Sequence, residues 1–106
     1  MINGLMDIEI QHEEDGQRAS FYVADGDEHV AEMTYRRHDE HSVTIEHTVV
    51  DDRLRGQGVG RKLLDAAVAW ARASNTRFYV TCPYALAQFK KDASIQDVLV
   101  DSLRAD

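Results

Sequence analysis

The chain has one cysteine, Cys82, so no internal disulfide can form, and a zinc site built on thiolates is argued against. Its apolar runs are far too short to span a bilayer. Basic residues are outnumbered, with 12 Lys and Arg against 19 Asp and Glu and a formal charge of −7. That balance argues against nonspecific binding to nucleic acid or to an anionic membrane, because such binding needs many cations facing phosphates. It is compatible with a cationic partner such as an amine, and equally with simple solubility. The opening stretch, Met1-Ile2-Asn3-Gly4-Leu5-Met6-Asp7, lacks a basic segment followed by an apolar one. No secretory signal is therefore expected, and the cytoplasm is the expected location. Two familiar phosphate-binding patterns are also missing. Lys62 follows Arg61 and precedes Leu63, which breaks the P-loop pattern, and Gly56, Gly58 and Gly60 are spaced G-x-G-x-G rather than G-x-G-x-x-G.

What is present suits a soluble globular chain: 106 residues, 43% hydrophobic and 29% charged, enough for one domain over 1–106 with one core. Asp7 to His12 alternates around Ile8 and Ile10, and Ala19 to Ala24 around Phe21 and Val23. Glu14-Asp15-Gly16-Gln17 lies between them, which predicts a hairpin. Asp25-Gly26-Asp27 turns into a third strand over Glu28 to Arg36, carrying Val30, Met33 and Tyr35. The polar run from Arg37 to His41 reads as a turn into Val43 to Val50, completing four antiparallel strands.

From Gly58 to about Ser74 the positions Val59, Leu63, Ala67, Trp70 and Ala71 recur at helical spacing, widened by Leu64 and Val68. Asn75 can end this helix, and Arg77 to Cys82 alternates as a fifth strand. Strand, helix, strand in this order implies a right-handed crossover and a parallel pair. Pro83 suits the first turn of a further helix to Lys91, with Cys82 at its N-cap. Ser94 and Asp97 form a capping pair for a last helix, with Ile95, Val98, Leu99 and Leu103 on one side.

The segment Arg53-Leu54-Arg55-Gly56-Gln57-Gly58-Val59-Gly60-Arg61-Lys62 stands out, joining three glycines to four basic side chains in an acidic chain. It reads as a phosphate cradle. Glycine lets the backbone approach a ligand without a Cβ in the way, and the first N–H groups of the following helix point at whatever sits there. His38 and His41 raise a metal site, but neither a companion cysteine nor a helical H-x-x-x-H pair is present to fix the geometry, so they read as exposed turn residues. His47, in the strand leading to the cradle, reads either as a proton acceptor or as a hydrogen-bonded core histidine. Cys82 at a helix N-terminus reads either as an activated nucleophile or as a small packed residue.

Arg55-Gly56-Gln57-Gly58-Val59-Gly60 resembles the R-x-x-G-x-G signature of the GNAT superfamily of acetyl-coenzyme A-dependent N-acetyltransferases. Ile45 through Phe89 is similar to a small subgroup of it, in which an H-T pair precedes the loop and a C-P-[FY] triplet follows the next strand. Here these are His47-Thr48 and Cys82-Pro83-Tyr84. The resemblance implies a mixed α/β fold with a mostly antiparallel sheet, one parallel crossover pair and flanking helices. It further implies that the parallel strands splay and admit the pantetheine of coenzyme A like an extra strand.

The cofactor implied is acetyl-coenzyme A, held by the backbone around Thr48, Val49 and Val50 and by Arg55, Gly56, Gln57, Gly58, Val59, Gly60 and Arg61. The implied reaction is acetyl transfer to an amine, on a small molecule or a protein lysine. His47 is the candidate base, with Glu46 as alternate, and Cys82 a candidate acetyl carrier. The chain departs from the family in two places. Phe89 stands where many members have a proton-donating tyrosine, leaving Cys82, Tyr84 or an unassisted thiolate. The helical segment that usually builds the acceptor pocket ahead of the sheet is missing, so the acceptor site is expected to be open or completed by a second subunit in a homodimer. A coenzyme A-binding module with little or no turnover, and a nucleotide- or phosphate-binding protein using the same loop, are the alternative readings.

Overall fold

A computed structural model describes residues 8–104. Five strands form one sheet in sequence order: β1 (Gln11–Asp15), β2 (Arg18–Asp25), β3 (Glu28–Asp39), β4 (Ser42–Val50) and β5 (Arg77–Val80). The first four are antiparallel neighbours, and β5 runs parallel to β4. Two helices, α1 (Val59–Ser74) and α2 (Pro83–Lys91), complete the frame, with short 3-10 turns at Asp52–Leu54, Ala93–Val98 and Asp101–Leu103. This is the mixed α/β architecture the resemblance implies, mostly antiparallel with one parallel pair.

Three boundaries differ from the sequence reading. The first strand starts at Gln11 rather than at Asp7, which lies outside the described residues. The tight turn at Gly16-Gln17 pairs Asp15 with Arg18, and this register runs the ladder out to Gln11 opposite Tyr22. Ile8 and Ile10 pack partly buried against the core from outside that ladder. Next, β3 continues to Asp39, so Arg37 and His38 are strand residues rather than turn residues; only Glu40 and His41 turn. Last, the segment after α2 is not one helix. Asp92, not Ser94, caps the Ala93–Val98 turn by accepting from the Ser94 N–H. Leu99 then extends into a parallel bridge with Phe78. Ile95, Val98 and Leu99 are buried, whereas Leu103 stays 39% exposed.

α1 forms because its apolar positions make one stripe: Val59, Leu63, Leu64, Ala67, Val68 and Ala71 are all buried. Asn75 ends it in the left-handed conformation, φ 54°, donating its N–H to the Ala71 carbonyl. Phe78, fully buried, organises the packing, with Trp70 of α1 and Phe89 of α2 both against its ring. Both helices therefore cover the same face of the sheet. The other face is open, and Tyr79, the neighbour of Phe78 in β5, is 45% exposed there.

Candidate active site

The site is set by an irregularity in β4. Tyr35 pairs with Ile45 but Thr34 pairs with His47, so Glu46 is an extra residue, a bulge. Ordinary alternation from Val43 and Ile45 would send Val49 to the helix-covered side. The bulge reverses this, so that Val49 is 63% exposed while Thr48 and Val50 face the helices. Pairing with β5 stops at the same level. Ile45 opposite Val80 is the last rung, after which Thr81 and Cys82 both donate N–H groups to the Ile45 carbonyl, at 3.0 and 3.2 Å. Past that rung β5 gives way to α2 and, among the described residues, the ladder ends, leaving beside β4 from Glu46 onward a space, hereafter the wedge.

The wedge leads to a cavity of about 380 Å³ lined by Thr48, Val50, Leu54, Arg55, Gly56 and Gly58, with Val59, Gly60 and Tyr84 closing it. Gly58 is the N-cap of α1 at φ 68°, and Gly56 stands at φ 83°. Both conformations are ones that side chains with a Cβ rarely adopt. No side chain caps α1 and no acidic residue lies in its first turn, so the helix presents uncompensated N–H donors to the cavity. A Cβ on Gly60 would lie 3.0 Å from Cζ of Tyr84. Gly60 is thus required by close approach, and the phenol forms one wall of the cradle. Burial pushes the Tyr84 phenol above its ordinary value, so it carries its proton at neutral pH.

The basic side chains are placed differently from the sequence reading. Arg53 reaches Asp51, Asp25 and Glu28 at 3.2–3.5 Å. Arg55 pairs with Asp52 at 2.6 Å. Arg61 ties Asp65 at 2.8 Å, Gln88 at 3.0 Å and Asp92, which braces α1 against the end of α2. The excess of positive charge visible along the chain is therefore largely matched by carboxylates folded against it, and backbone donors rather than cations dominate the cradle. Gln57 and Arg61 do not line the cavity, and the Gln57 N–H already bonds the Leu54 carbonyl at 3.3 Å. Val49 could contribute only through its backbone.

Cys82 caps α2 with Pro83 at its first position, as the sequence predicts. Its thiol is buried, and its sulfur lies 3.2 Å from the Thr48 hydroxyl. His47 is exposed and belongs to the opposite side of β4 from Thr48, so His47 and Cys82 do not meet. Exposure also removes the core-histidine reading of His47. The Glu46 carboxylate lies 3.6 Å from Arg36. Phe89 is core, packed on Phe78 rather than facing the wedge. His38 and His41 diverge, one bonding the Thr44 hydroxyl and the other the Asn75 carbonyl at 3.1 Å. Among the described residues no cluster of three or more His, Cys, Asp or Glu is placed to hold a metal ion, and no helix is long and apolar enough to cross a membrane.

The sequence named Thr48 for its backbone and Tyr84 as a substitute acid, but not the Thr48–Cys82 contact or the Tyr84 wall. The signal for Tyr84 was available, since Pro83 at the first helical position fixes the next side chain at the mouth of α2. Thr48 needed the bulge, which no periodicity displays.

Known proteins share this fold. A GCN5-like protein from Staphylococcus aureus, solved by NMR, is 39% identical, with 88% of each chain covered and a TM-score of 0.67. A GNAT-family acetyltransferase from Elizabethkingia anophelis with acetyl-CoA bound superposes at TM-score 0.53 and 13% identity, over 71% of this chain and 52% of that one. An aminoglycoside 6'-N-acetyltransferase complexed with coenzyme A does so at 0.50 and 17%, over 60% and 37%; both likenesses concern the fold. Among curated proteins none matches significantly. A family model described as GCN5-related N-acetyl-transferase matches residues 18–98. With the match spanning most of the sheet, the glycine loop and both helices, the chain belongs to the GCN5-related N-acetyltransferase family.

Proposed function

We propose that this chain binds acetyl-coenzyme A in the wedge between β4 and β5 and transfers its acetyl group to an amine. Acetyl transfer from acetyl-coenzyme A is the chemistry of the family to which the chain belongs. The observation that carries the reading for this chain is the cradle itself: two left-handed glycines, an uncapped helix N-terminus and a parallel pair that parts at Ile45. These fit a diphosphate bearing a flexible arm. Donors point at the anion without a side chain between, and the unpaired stretch of β4 offers backbone groups to the arm's amides.

Gly58, Val59, Gly60 and Arg61 would hold the diphosphate through backbone N–H groups, with Arg55 at the rim and Gly56 and Gln57 shaping the loop. Thr48, Val49 and Val50 would pair with the pantetheine. When bound, acetyl-coenzyme A supplies an acetyl thioester whose C–S bond breaks as the new N–C bond forms. His47, on the open face one residue from Thr48, takes the proton from the attacking amine; Glu46, engaged by Arg36, is less suited. Thr48 and Cys82 close the inner end of the wedge, and Tyr84, still protonated, stands at the cradle. Cys82 is either an acetyl carrier or a packed partner of Thr48. Cys82→Ser, which keeps a hydroxyl partner for Thr48, should leave turnover intact if the second role is right and abolish it if acetyl is carried on sulfur.

A coenzyme A-binding module with weak turnover is the second reading. Phe89 favours it, because a phenyl ring where many members carry a tyrosine cannot protonate a leaving thiolate. Calorimetry with acetyl-coenzyme A, followed by mass spectrometry of a panel of amines incubated with protein and donor, separates the possibilities. Binding with acetylated product supports the first reading, and binding without product supports the second. No binding at high micromolar cofactor removes both and leaves a protein for another phosphate.

A further inference from the structure

On the open face, away from the cradle and both helices, lies a larger cavity of about 550 Å³. Its volume falls within the range of small-molecule sites. Its walls are unusual for this surface. Tyr79 is 45% exposed and Leu103 39%, two of the three large apolar side chains left uncovered among the described residues. Leu103 reaches the cavity because the chain after Leu99 does not continue as a helix but passes into the separate Asp101–Leu103 turn. Its polar side is formed by His38, itself exposed, over buried Thr44. One ring nitrogen of His38 bonds the buried Thr44 hydroxyl, and the Tyr79 ring meets the imidazole edge-on at 5.5 Å and 87°. Among the described residues the second imidazole nitrogen has no hydrogen-bond partner.

Position gives the cavity its meaning, on the acetyl-transfer reading above. Thr44, paired with Tyr79, lies one rung before the last rung of the β4–β5 ladder, and Thr81 lines the cavity while its N–H bonds Ile45 where the strands part. Thr48 lines the cradle at the other end of the same stretch. With the bulge, Thr44 and Thr48 pair three residues apart on β3, at Arg36 and Met33, about 10 Å, and a cofactor arm laid along β4 from the cradle would stop where Ile45 pairs with Val80, beside Thr81 at the edge of this cavity.

We propose that the cavity walled by Tyr79 and Leu103 is the acceptor site, and that it takes a small primary amine carried on a flat aromatic or unsaturated body. The flat body packs between the phenol and the leucine, where an aromatic partner gains more than an aliphatic one. Polar atoms for the amine nitrogen lie in Thr81 and the His38–Thr44 pair, toward the end where the strands part, with Asp39 at the far rim. Asp39 is held ionised by the His41 N–H and by Ser42, which keep its carboxyl below the ordinary range. Arg36, which also lines the cavity, faces Glu46 at 3.6 Å, so its charge is matched. The rim therefore draws the amine as its ammonium, a form that ionised Asp39 favours, so a proton must leave before the nitrogen attacks.

The test uses the full chain and 2-phenylethylamine as probe, read by amide NMR shifts without cofactor and by calorimetry. Shifts should gather at Thr44, Tyr79, Val80 and Thr81, and Tyr79→Ser should weaken the amine by about fivefold or more while acetyl-coenzyme A affinity stays within about twofold. Leu103→Ser, at an exposed position, provides a second variant should Tyr79→Ser fold poorly. Absence of shifts at millimolar amine, shifts confined to another surface, an unchanged amine affinity in either folded variant, or a lysine peptide perturbing these amides where phenylethylamine does not, would each overturn the proposal. Amine shifts at this cavity with no binding of acetyl-coenzyme A would instead sink the donor reading and leave the amine site standing.

Discussion

At the scale of single residues, the cradle depends on conformations more than on charges. Gly58 at φ 68° has nothing within 4 Å of where a Cβ would lie, so a side chain there meets open space and yet is strained. Left-handed backbone costs about 1–2 kcal/mol for an ordinary residue. Gly58→Val should therefore lower acetyl-coenzyme A affinity by about tenfold, since 1.4 kcal/mol is one decade, and titration calorimetry reads this directly. Gly60 is the opposite case: its backbone is helical, and the Tyr84 ring supplies the restriction. Gly60→Ala should weaken cofactor binding by displacing the phenol, and Tyr84→Ala should relieve most of that effect in the double variant. Additive losses in the cycle would show that Tyr84 does not wall the cradle. His47→Ala should depress turnover more than cofactor affinity and remove a limb of the pH–rate profile; an unchanged profile would retire it as the base.

At the scale of elements, the bulge at Glu46 and the bracing of α1 on α2 matter most. Arg61 holds the Asp92 carboxyl, which Ser94 and Arg61 together bring down from 3.8 to about 2. A carboxylate depressed in the folded state adds stability above its unfolded value and loses it as pH falls through its folded value. The contribution of Asp92 is thus complete above about pH 4 and disappears toward pH 2. Arg61→Gln should lower the thermal midpoint at pH 7 and flatten its fall between pH 4 and pH 2 relative to the parent, measured by circular dichroism. The local surplus of arginine was legible in the sequence, but its pairing was not. Asp25, Glu28 and Asp92 are remote in the chain and reach Arg53 and Arg61 only through the fold.

At the scale of the whole molecule, one aromatic residue joins the layers. Phe78 touches Trp70 and Phe89 and bridges to Leu99, so Phe78→Ala should cost about 3–5 kcal/mol against a total stability of about 5–15 kcal/mol. Chemical denaturation would show the loss in the midpoint. Ligand linkage gives a second whole-molecule test: at a hundredfold excess over its dissociation constant, acetyl-coenzyme A should add about 2.7 kcal/mol. The melting temperature should then rise by about 10 °C or more, a rise that Gly58→Val should reduce.

The sequence by itself determined the order of the five strands and of α1 and α2, the stripe of α1, the placing of Cys82 and Pro83 at the mouth of α2, and the glycine loop. Each is encoded by a local period or by a residue whose backbone preference is intrinsic. Only tertiary structure decided which side of β4 each residue faces, because one extra residue at Glu46 reverses the alternation without leaving a mark in composition. Tertiary structure likewise decided that the cradle's arginines are paired, that Phe89 is core, and that Tyr79, Leu103 and His38 meet on the open face. Those facts depend on contacts between distant segments, and a pattern read along the chain carries no information about which distant carboxylate, ring or hydroxyl will be folded against it.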